Sequence, residues 1–203
     1  VQACDRLFRV CLVEDAAGRK MVLRRPPTGA VLATAHDMSR EHRILAGLGG
    51  SAVPVAPVLA LCQDDAVNDA PFYVMEYVEG HVLTSPGQTS KVVPEDKRQA
   101  LGVHVIETLA HLHNIEPDDV GLGDLGRREA YLARQLKRWK GQWEKSKTRE
   151  LPAMDEALAL LEAKMPEQEG ASIVHGDYRM GNFLADGERG KIAAVLDLSL
   201  IHI

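Results

Sequence analysis

The densest chemistry lies in Val174-His175-Gly176-Asp177-Tyr178-Arg179-Met180-Gly181-Asn182, where an acid and an amide stand five residues apart after an apolar strand-like run. Fifteen residues beyond Asn182 comes Asp197, closing the apolar stretch Ala193-Ala194-Val195-Leu196. Phosphoryl transfer to a hydroxyl needs such a set. One carboxylate must meet the attacking hydroxyl, and an amide and a second carboxylate must hold magnesium against phosphates. Two adjacent strand ends can present all three groups at one cleft.

The same chemistry requires a cation on a strand, held by a carboxylate on a helix. Met21-Val22-Leu23-Arg24 has the form of that strand, and alternation places Val22 and Arg24 on one face with Arg25 pointing away. A helix expected from about Ala35 to Leu48, stopped by Gly49-Gly50, offers Glu41 beside its apolar stripe of Ile44, Leu45 and Leu48. A carboxylate there needs a cation, since burying it alone is costly, and Arg24 is the natural partner. Arginine would grip phosphate with a planar fork where lysine offers a point charge.

The elements that must position these groups follow from periodicity. Leu7–Val13 and Lys20–Arg24 flank the turn Glu14–Gly18 and predict an antiparallel hairpin, ended by Pro26-Pro27-Thr28-Gly29. Strands are expected at Val58–Cys62 and Phe72–Tyr77, with a polar loop over Asp64–Pro71. After Gly80 the pattern turns helical. Helices are predicted over about 94–115 (Leu101, Val105, Leu109 and Leu112 inward), 128–147 (Leu132, Leu136, Trp139 and Trp143 as a packing stripe) and 154–165. Strands return at Ser172–Val174 and Ile192–Leu196, separated by a polar, glycine-bearing loop. The pattern is α+β, with a break near Val78–Gly80.

Composition narrows the function. With 203 residues and 45% hydrophobic content the chain suits one globular domain in two lobes. A net charge of -5 argues against nucleic acid as the main partner. The cysteines, Cys4, Cys11 and Cys62, are odd in number and form no CxxC, which argues against a disulfide framework and for a reducing cytoplasm. No apolar run approaches membrane-spanning length, and His111 and His113, two apart on a helix, make a poor metal pair. From Arg127 to Glu150 nine Lys or Arg face three Glu, a basic stretch that could attract an anionic substrate or simply be a solvated helical face.

The segment Val174–Asn182 resembles the catalytic loop of the aminoglycoside phosphotransferase family, a branch of the protein-kinase-like fold. The resemblance implies Asp177 as catalytic base, Asn182 as a magnesium ligand and Asp197 as the carboxylate bridging magnesium to the β- and γ-phosphates, with His175 shaping the loop. Phe72–Val78 resembles the strand and hinge that carry adenine. Met75 would gate the back pocket, and backbone groups of Glu76 and Val78 would bond the adenine edge. The stretches Leu23-Arg24-Arg25-Pro26-Pro27, Ala35-His36-Asp37-Met38 and Ala70–Tyr77 look closest to the phosphotransferase domains related to those fused to acyl-CoA dehydrogenases. The resemblance covers about residues 7–197. It implies a bilobal fold: an N-lobe (1–78) of antiparallel sheet plus one helix, and a mainly helical, truncated C-lobe (79–203). ATP and Mg2+ would be the cofactors. The acceptor would be a small-molecule hydroxyl, a hydroxyacyl group or its CoA ester before an antibiotic.

Two departures stand against the family pattern. Residues 1–6 hold no glycine where a phosphate-covering loop is expected, and Leu198–Ile203 replaces the usual aromatic and acidic residues, reading as truncation or a foreign tail. They keep two alternatives open: a nucleotide-binding pseudokinase without turnover, and an aminoglycoside, choline or homoserine-type kinase.

Overall fold

The computed structural model describes residues 9–26 and 37–198. The readings on residues 1–8, 27–36 and 199–203 lie outside them: the phosphate-covering stretch, the start of the first helix and the terminal tail. The described residues form two compact units, one comprising those up to Leu125 together with those from Ser172 onward, the other Gly126–Ala171.

In the first unit β1 (Arg9–Glu14) and β2 (Lys20–Arg25) form the expected hairpin. Its turn is set by Asp15, whose Oδ1 accepts the N–H groups of Ala17 and Arg19, each at 2.9 Å. Helix α1 (Met38–Leu48) opens at Asp37, which accepts the Arg40 N–H at 3.0 Å, and closes at Gly49. Its inward face is Met38, Glu41, Ile44, Leu45 and Leu48, one carboxylate among four apolar side chains. Strands β3 (Val58–Cys62) and β4 (Phe72–Glu76) complete a sheet of order β1-β2-β4-β3. The register sets Arg24 opposite Tyr73 and Val22 opposite Met75, so all four share one face. The loop expected over Asp64–Pro71 contains a short helix, α2 (Asp65–Asn68), capped by Asp64.

A second sheet is made of β5 (His81–Val82), β6 (Phe183–Asp186) and β7 (Lys191–Val195). Neither β5 nor β6 was expected. Two and four residues are too short for periodicity to register, and the segment expected as a loop between the late strands contains β6. The strand expected over Ser172–Val174 reduces to one bridged residue, Val174. Helix α3 (Pro86–Val92), capped by Ser85, precedes α4 (Glu95–His113). On α4 the buried positions are Leu101, Thr108 and Leu112, while Val105 and Leu109 are half-buried.

Helix α4 is the frame on which the late strands are hung. The β6–β7 turn docks so closely that a Cβ at Gly187 would stand 2.1 Å from the Val92 carbonyl oxygen at the end of α3. His104 on α4 accepts the Ile192 N–H of β7 through Nδ1 at 3.1 Å. Across the unit, the Val195 N–H donates to the Pro54 carbonyl at 2.8 Å. The core joins α1, α4 and the second sheet through Ile44, Leu48, Leu112, Leu122, Ile173 and Phe183, all within 1% of complete burial. Each such side chain contributes about 1.5–3 kcal/mol.

The second unit holds α5 (Tyr131–Ser146) and α6 (Pro152–Ala163), joined by the Lys140–Glu162 ion pair at 3.1 Å. Gln168 binds the start of α5, accepting the Tyr131 N–H at 2.9 Å and donating to the Arg128 carbonyl at 2.6 Å. The packing role expected for Trp139 is corrected: it is 58% exposed and lies against the Arg138 guanidinium, 5.3 Å from its ring centre. No residue of α5 is buried, although its apolar and charged positions lie on opposite faces. No described helix is long and apolar enough to cross a membrane. The reading against a disulfide framework meets an exception at Cys11, which is disulfide-bonded, while Cys62 is free.

Candidate active site

Arg24 and Glu41 are brought together as the strand and helix faces required. Arg24 donates from Nε to Glu41 Oε2 at 2.5 Å and from Nη2 to Oε1 at 3.1 Å, a two-pronged fork. Tyr73 adds its hydroxyl to Glu41 Oε2 at 3.2 Å. Burial by itself lowers the Arg24 pKa, but the hydrogen bonds and negative charge of Glu41, with smaller contributions from Tyr73 and Asp197, outweigh it, and the net direction is up. Burial first, then the charge of Glu41, holds the Tyr73 phenol far above its ordinary range, so the hydroxyl stays a donor. Tyr73 escaped the sequence reading because its place opposite Arg24 follows only from strand register.

The loop after Val174 is organised by His175, which is 1% exposed. Its Nδ1 accepts the Asp177 N–H at 3.3 Å, and its Nε2 lies 2.8 Å from the Leu196 carbonyl. An acceptor at Nδ1 requires the proton on Nε2, so the ring bridges the loop to the end of β7 as a neutral tautomer. Tyr178 anchors the loop to α4 by donating to the Val105 carbonyl at 2.7 Å, and its burial pushes the phenol up to about 12. Asn182 ends a 3-10 turn, Met180–Asn182. Its Nδ2 donates to the Asp177 carbonyl at 2.8 Å and to Asp177 Oδ2 at 2.9 Å. The amide oxygen is then the atom of that side chain able to bind a cation.

Arg179 was not singled out in the sequence. Its Nε meets Asp177 Oδ2 at 3.1 Å. The hydrogen bonds from Arg179 and then Asn182 hold the Asp177 carboxyl below its ordinary range. Both land on Oδ2, which leaves Oδ1 outside this pair of bonds. Asp197 follows Leu196, itself held from both sides: the Leu196 N–H donates to the Asn182 carbonyl at 2.8 Å, and its carbonyl faces His175. Asp197 adopts the left-handed conformation, φ 54°, uncommon for a residue with a side chain. Its Oδ1 lies 3.8 Å from Arg24 Nη2.

A cleft of about 580 Å³ collects Arg24, Glu41, Met75, Arg179, Asn182 and Asp197 among its lining residues. Asp177 adjoins it through its bonds to Asn182 and Arg179. Glu76 and Val78 are not among the lining residues. The Glu76 N–H is committed to the Pro57 carbonyl at 2.8 Å, and its side chain to Arg19 at 2.7 Å. Among the described residues no cluster of three or more His, Cys, Asp or Glu could cage a metal. Asn182 and Asp197 supply two oxygen donors on one cleft. That fits magnesium, which takes one or two protein ligands and completes its shell with phosphates and water.

Known proteins can be set beside this geometry. A solved structure from Ralstonia eutropha, assigned to the aminoglycoside phosphotransferases, superimposes with a TM-score of 0.79 at 32% identity, covering 99% of this chain and 61% of that one. The GDP complex of aminoglycoside 2'-phosphotransferase-IIIa matches with a TM-score of 0.67 at 18% identity over 98% of this chain and 65% of that one. The fold is therefore the α+β protein-kinase-like fold. A model of the phosphotransferase enzyme family matches residues 4–203, and the chain belongs to that family. Among curated proteins it is 33% identical over 184 residues to acyl-CoA dehydrogenase family member 10 of Mus musculus, covering 91% of this chain and 17% of the relative. It is 33% identical over 201 residues to the acyl-CoA dehydrogenase IBR3 of Arabidopsis thaliana, covering 93% of this chain and 24% of the relative. The chain thus spans a quarter or less of these two relatives.

Proposed function

We propose that this chain is the kinase portion of a small-molecule phosphotransferase, moving the γ-phosphate of ATP to a hydroxyl with magnesium. The observation that carries this reading is the convergence of Arg24–Glu41, Asn182 and Asp197 on one cleft, with Asp177 hydrogen-bonded to Asn182. In this reading residues 1–78 form the nucleotide-binding lobe and 79–203 the partial lobe that carries the catalytic loop. Met75 stands at the back of the nucleotide site; for backbone groups of Glu76 and Val78 to meet the base, the base would have to reach past the cleft lining, to which neither residue belongs.

Asn182 Oδ1 and the Asp197 carboxylate would hold magnesium, which neutralises phosphate charge when bound. Arg24, fixed by Glu41, steadies the phosphates. The acceptor hydroxyl meets Asp177. Its oxygen bonds to the γ-phosphorus as the bond to the β,γ-bridging oxygen breaks, its proton passes to the Asp177 carboxylate, and the nucleoside diphosphate leaves. A carboxylate held below its usual pKa is a weak base, so Asp177 acts mainly by orienting the hydroxyl until the transition state makes the proton acidic.

The acceptor we infer is a hydroxyacyl group or its CoA ester. Its support is the family of acyl-CoA dehydrogenases among the relatives and the basic stretch Arg127–Glu150, with nine Lys or Arg against three Glu. A phosphorylation screen of hydroxyacyl-CoAs against aminoglycosides, with ATP and GTP as donors and Asp177→Asn as control, tests the whole reading. Turnover confined to hydroxyacyl-CoAs and abolished in the control supports it. Turnover of aminoglycosides alone replaces the acceptor, and equal turnover in the control removes the assigned base.

A further inference from the structure

Glu41 places Arg24 only if α1 is itself held in place, and α1 is gripped on a second face. Arg40, Arg43 and Gly47, spaced i, i+3 and i+7, form a stripe distinct from the inward residues of the helix. All three meet the turn 116–125 that follows α4. Arg40 Nη1 donates to the Leu125 carbonyl at 2.6 Å. Arg43 donates from Nε to the Gly121 carbonyl at 3.2 Å and from Nη1 to Asp124 Oδ2 at 3.2 Å, and Nη2 reaches both Gly121 and Asp124. At Gly47 the backbones come so close that a Cβ would stand 2.6 Å from the Val120 carbonyl oxygen and 3.1 Å from Leu122 Cγ.

The turn is itself stiff. The Asp119 N–H donates to the Glu116 carbonyl at 3.1 Å, Gly121 to Asp118 at 3.2 Å, Leu122 to Pro117 at 2.8 Å and Leu125 to Leu122 at 2.9 Å. Leu122, at its centre, is fully buried. It grows out of the end of α4, the helix that also holds β7 through His104 and the catalytic loop through Tyr178. One helix and its C-terminal turn thus bear on both sides of the cleft.

We propose that the turn 116–125 is a positioning clamp, in which Arg40, Arg43 and Gly47 fix the register of α1 so that Glu41 presents Arg24 to the nucleotide phosphates. The proposal rests on the nucleotide reading above for what Arg24 does, and on packing alone for how it is placed. These residues touch neither nucleotide nor acceptor; they act through Glu41 and Arg24. Arg43 and Asp124 are both largely exposed, so their ion pair adds little stability as such. The clamp works by direction, through the Gly121 and Leu125 carbonyls and the Gly47 close approach.

The test compares the chain with its Arg40→Ala/Arg43→Ala, Arg40→Lys/Arg43→Lys and Gly47→Val variants by two readouts. The first is KM for nucleotide and for acceptor. The second, needing no nucleotide, is the NMR signal and exchange rate of the Arg24 Nε–H, protected by its bond to Glu41. The clamp requires that the double-alanine variant raise nucleotide KM roughly 10- to 100-fold, the scale of an ångström of misplacement. Acceptor KM should stay within about twofold of the unaltered chain, well inside the tenfold that marks 1.4 kcal/mol. Nε–H exchange must accelerate, and the double-lysine variant must recover much of both. Gly47→Val should repeat the loss if it folds. Unchanged nucleotide KM and unchanged Nε–H exchange in the folded double-alanine variant overturn the clamp, as does an equal rise in both KM values. If the unaltered chain binds no nucleotide while Nε–H protection is still lost in the variant, the nucleotide reading fails and the clamp stands.

Discussion

Two arginine–carboxylate pairs serve the cleft, and they are built in opposite ways. Arg24–Glu41 is enclosed, with side chains 13% and 5% exposed, two hydrogen bonds between them and a third to Glu41 from Tyr73. Arg179–Asp177 is open, with side chains 65% and 45% exposed and one contact at 3.1 Å. A buried pair offsets its desolvation only while its geometry is complete, so it behaves as a fixed part. An exposed pair costs little to separate, so its carboxylate can change partners. In the proposed mechanism the fixed pair faces phosphate, which must not move, and the open pair faces the acceptor, which must enter.

The sharpest attempt to break this contrast is Asp177→Asn. Turnover should fall by about 10²–10⁴-fold, with thermal stability nearly unchanged, because in the proposed mechanism this half-exposed carboxylate carries chemistry and little of the fold. Kinetics and a melting curve read the two quantities separately, and a stability loss matching the kinetic loss would erase the distinction. Next comes Glu41→Ala, which strands the buried Arg24. It should cost about 3–5 kcal/mol, measured as a lowered urea midpoint. A loss under about 1 kcal/mol would put this pair in the surface class.

Arg179→Ala should leave the midpoint within about 1 kcal/mol of the unaltered chain but change the pH profile. In the proposed mechanism Asp177 acts ionised, and its folded pKa is depressed, first by Arg179 and then by Asn182. Activity therefore persists above that pKa and is lost as pH falls through it. Removing Arg179 should move the acid limb of kcat/KM upward, toward the ordinary carboxylate range; a limb that stays put would detach Arg179 from the acid. The smallest effect belongs to the second unit. Trp139→Ala, at a side chain 58% exposed, should shift stability by about 0.5 kcal/mol or less, and a larger drop in the melting temperature would reveal packing there.

Much of the site was legible because local chemistry encodes it. Asp177 and Asn182 are five residues apart, and a single turn joins them. Arg24 and Glu41 were legible because a strand and a helix each have one inward face, and a carboxylate placed inward demands a cation. Tyr73 and Arg179 were not. Tyr73 becomes a partner of Glu41 through pairing between β2 and β4, and Arg179 by folding back two residues onto Asp177. The stripe Leu132, Leu136, Trp139 and Trp143 has the spacing of a buried face, yet α5 buries none of it, since periodicity reports amphipathicity and not whether anything covers the face.

From the order of its residues alone, this protein's longer elements, its family and the acids and amide of its candidate site could be written down. These depend on contacts within a turn or along one face, where neighbours in the chain are neighbours in space. What tertiary structure decided is the distance from Arg24 to Asp197, the choice of Asp177 oxygen that Asn182 occupies, and the second face by which α1 is gripped. Each depends on chain segments tens of residues apart meeting in one register, which the side-chain pattern permits but only packing selects.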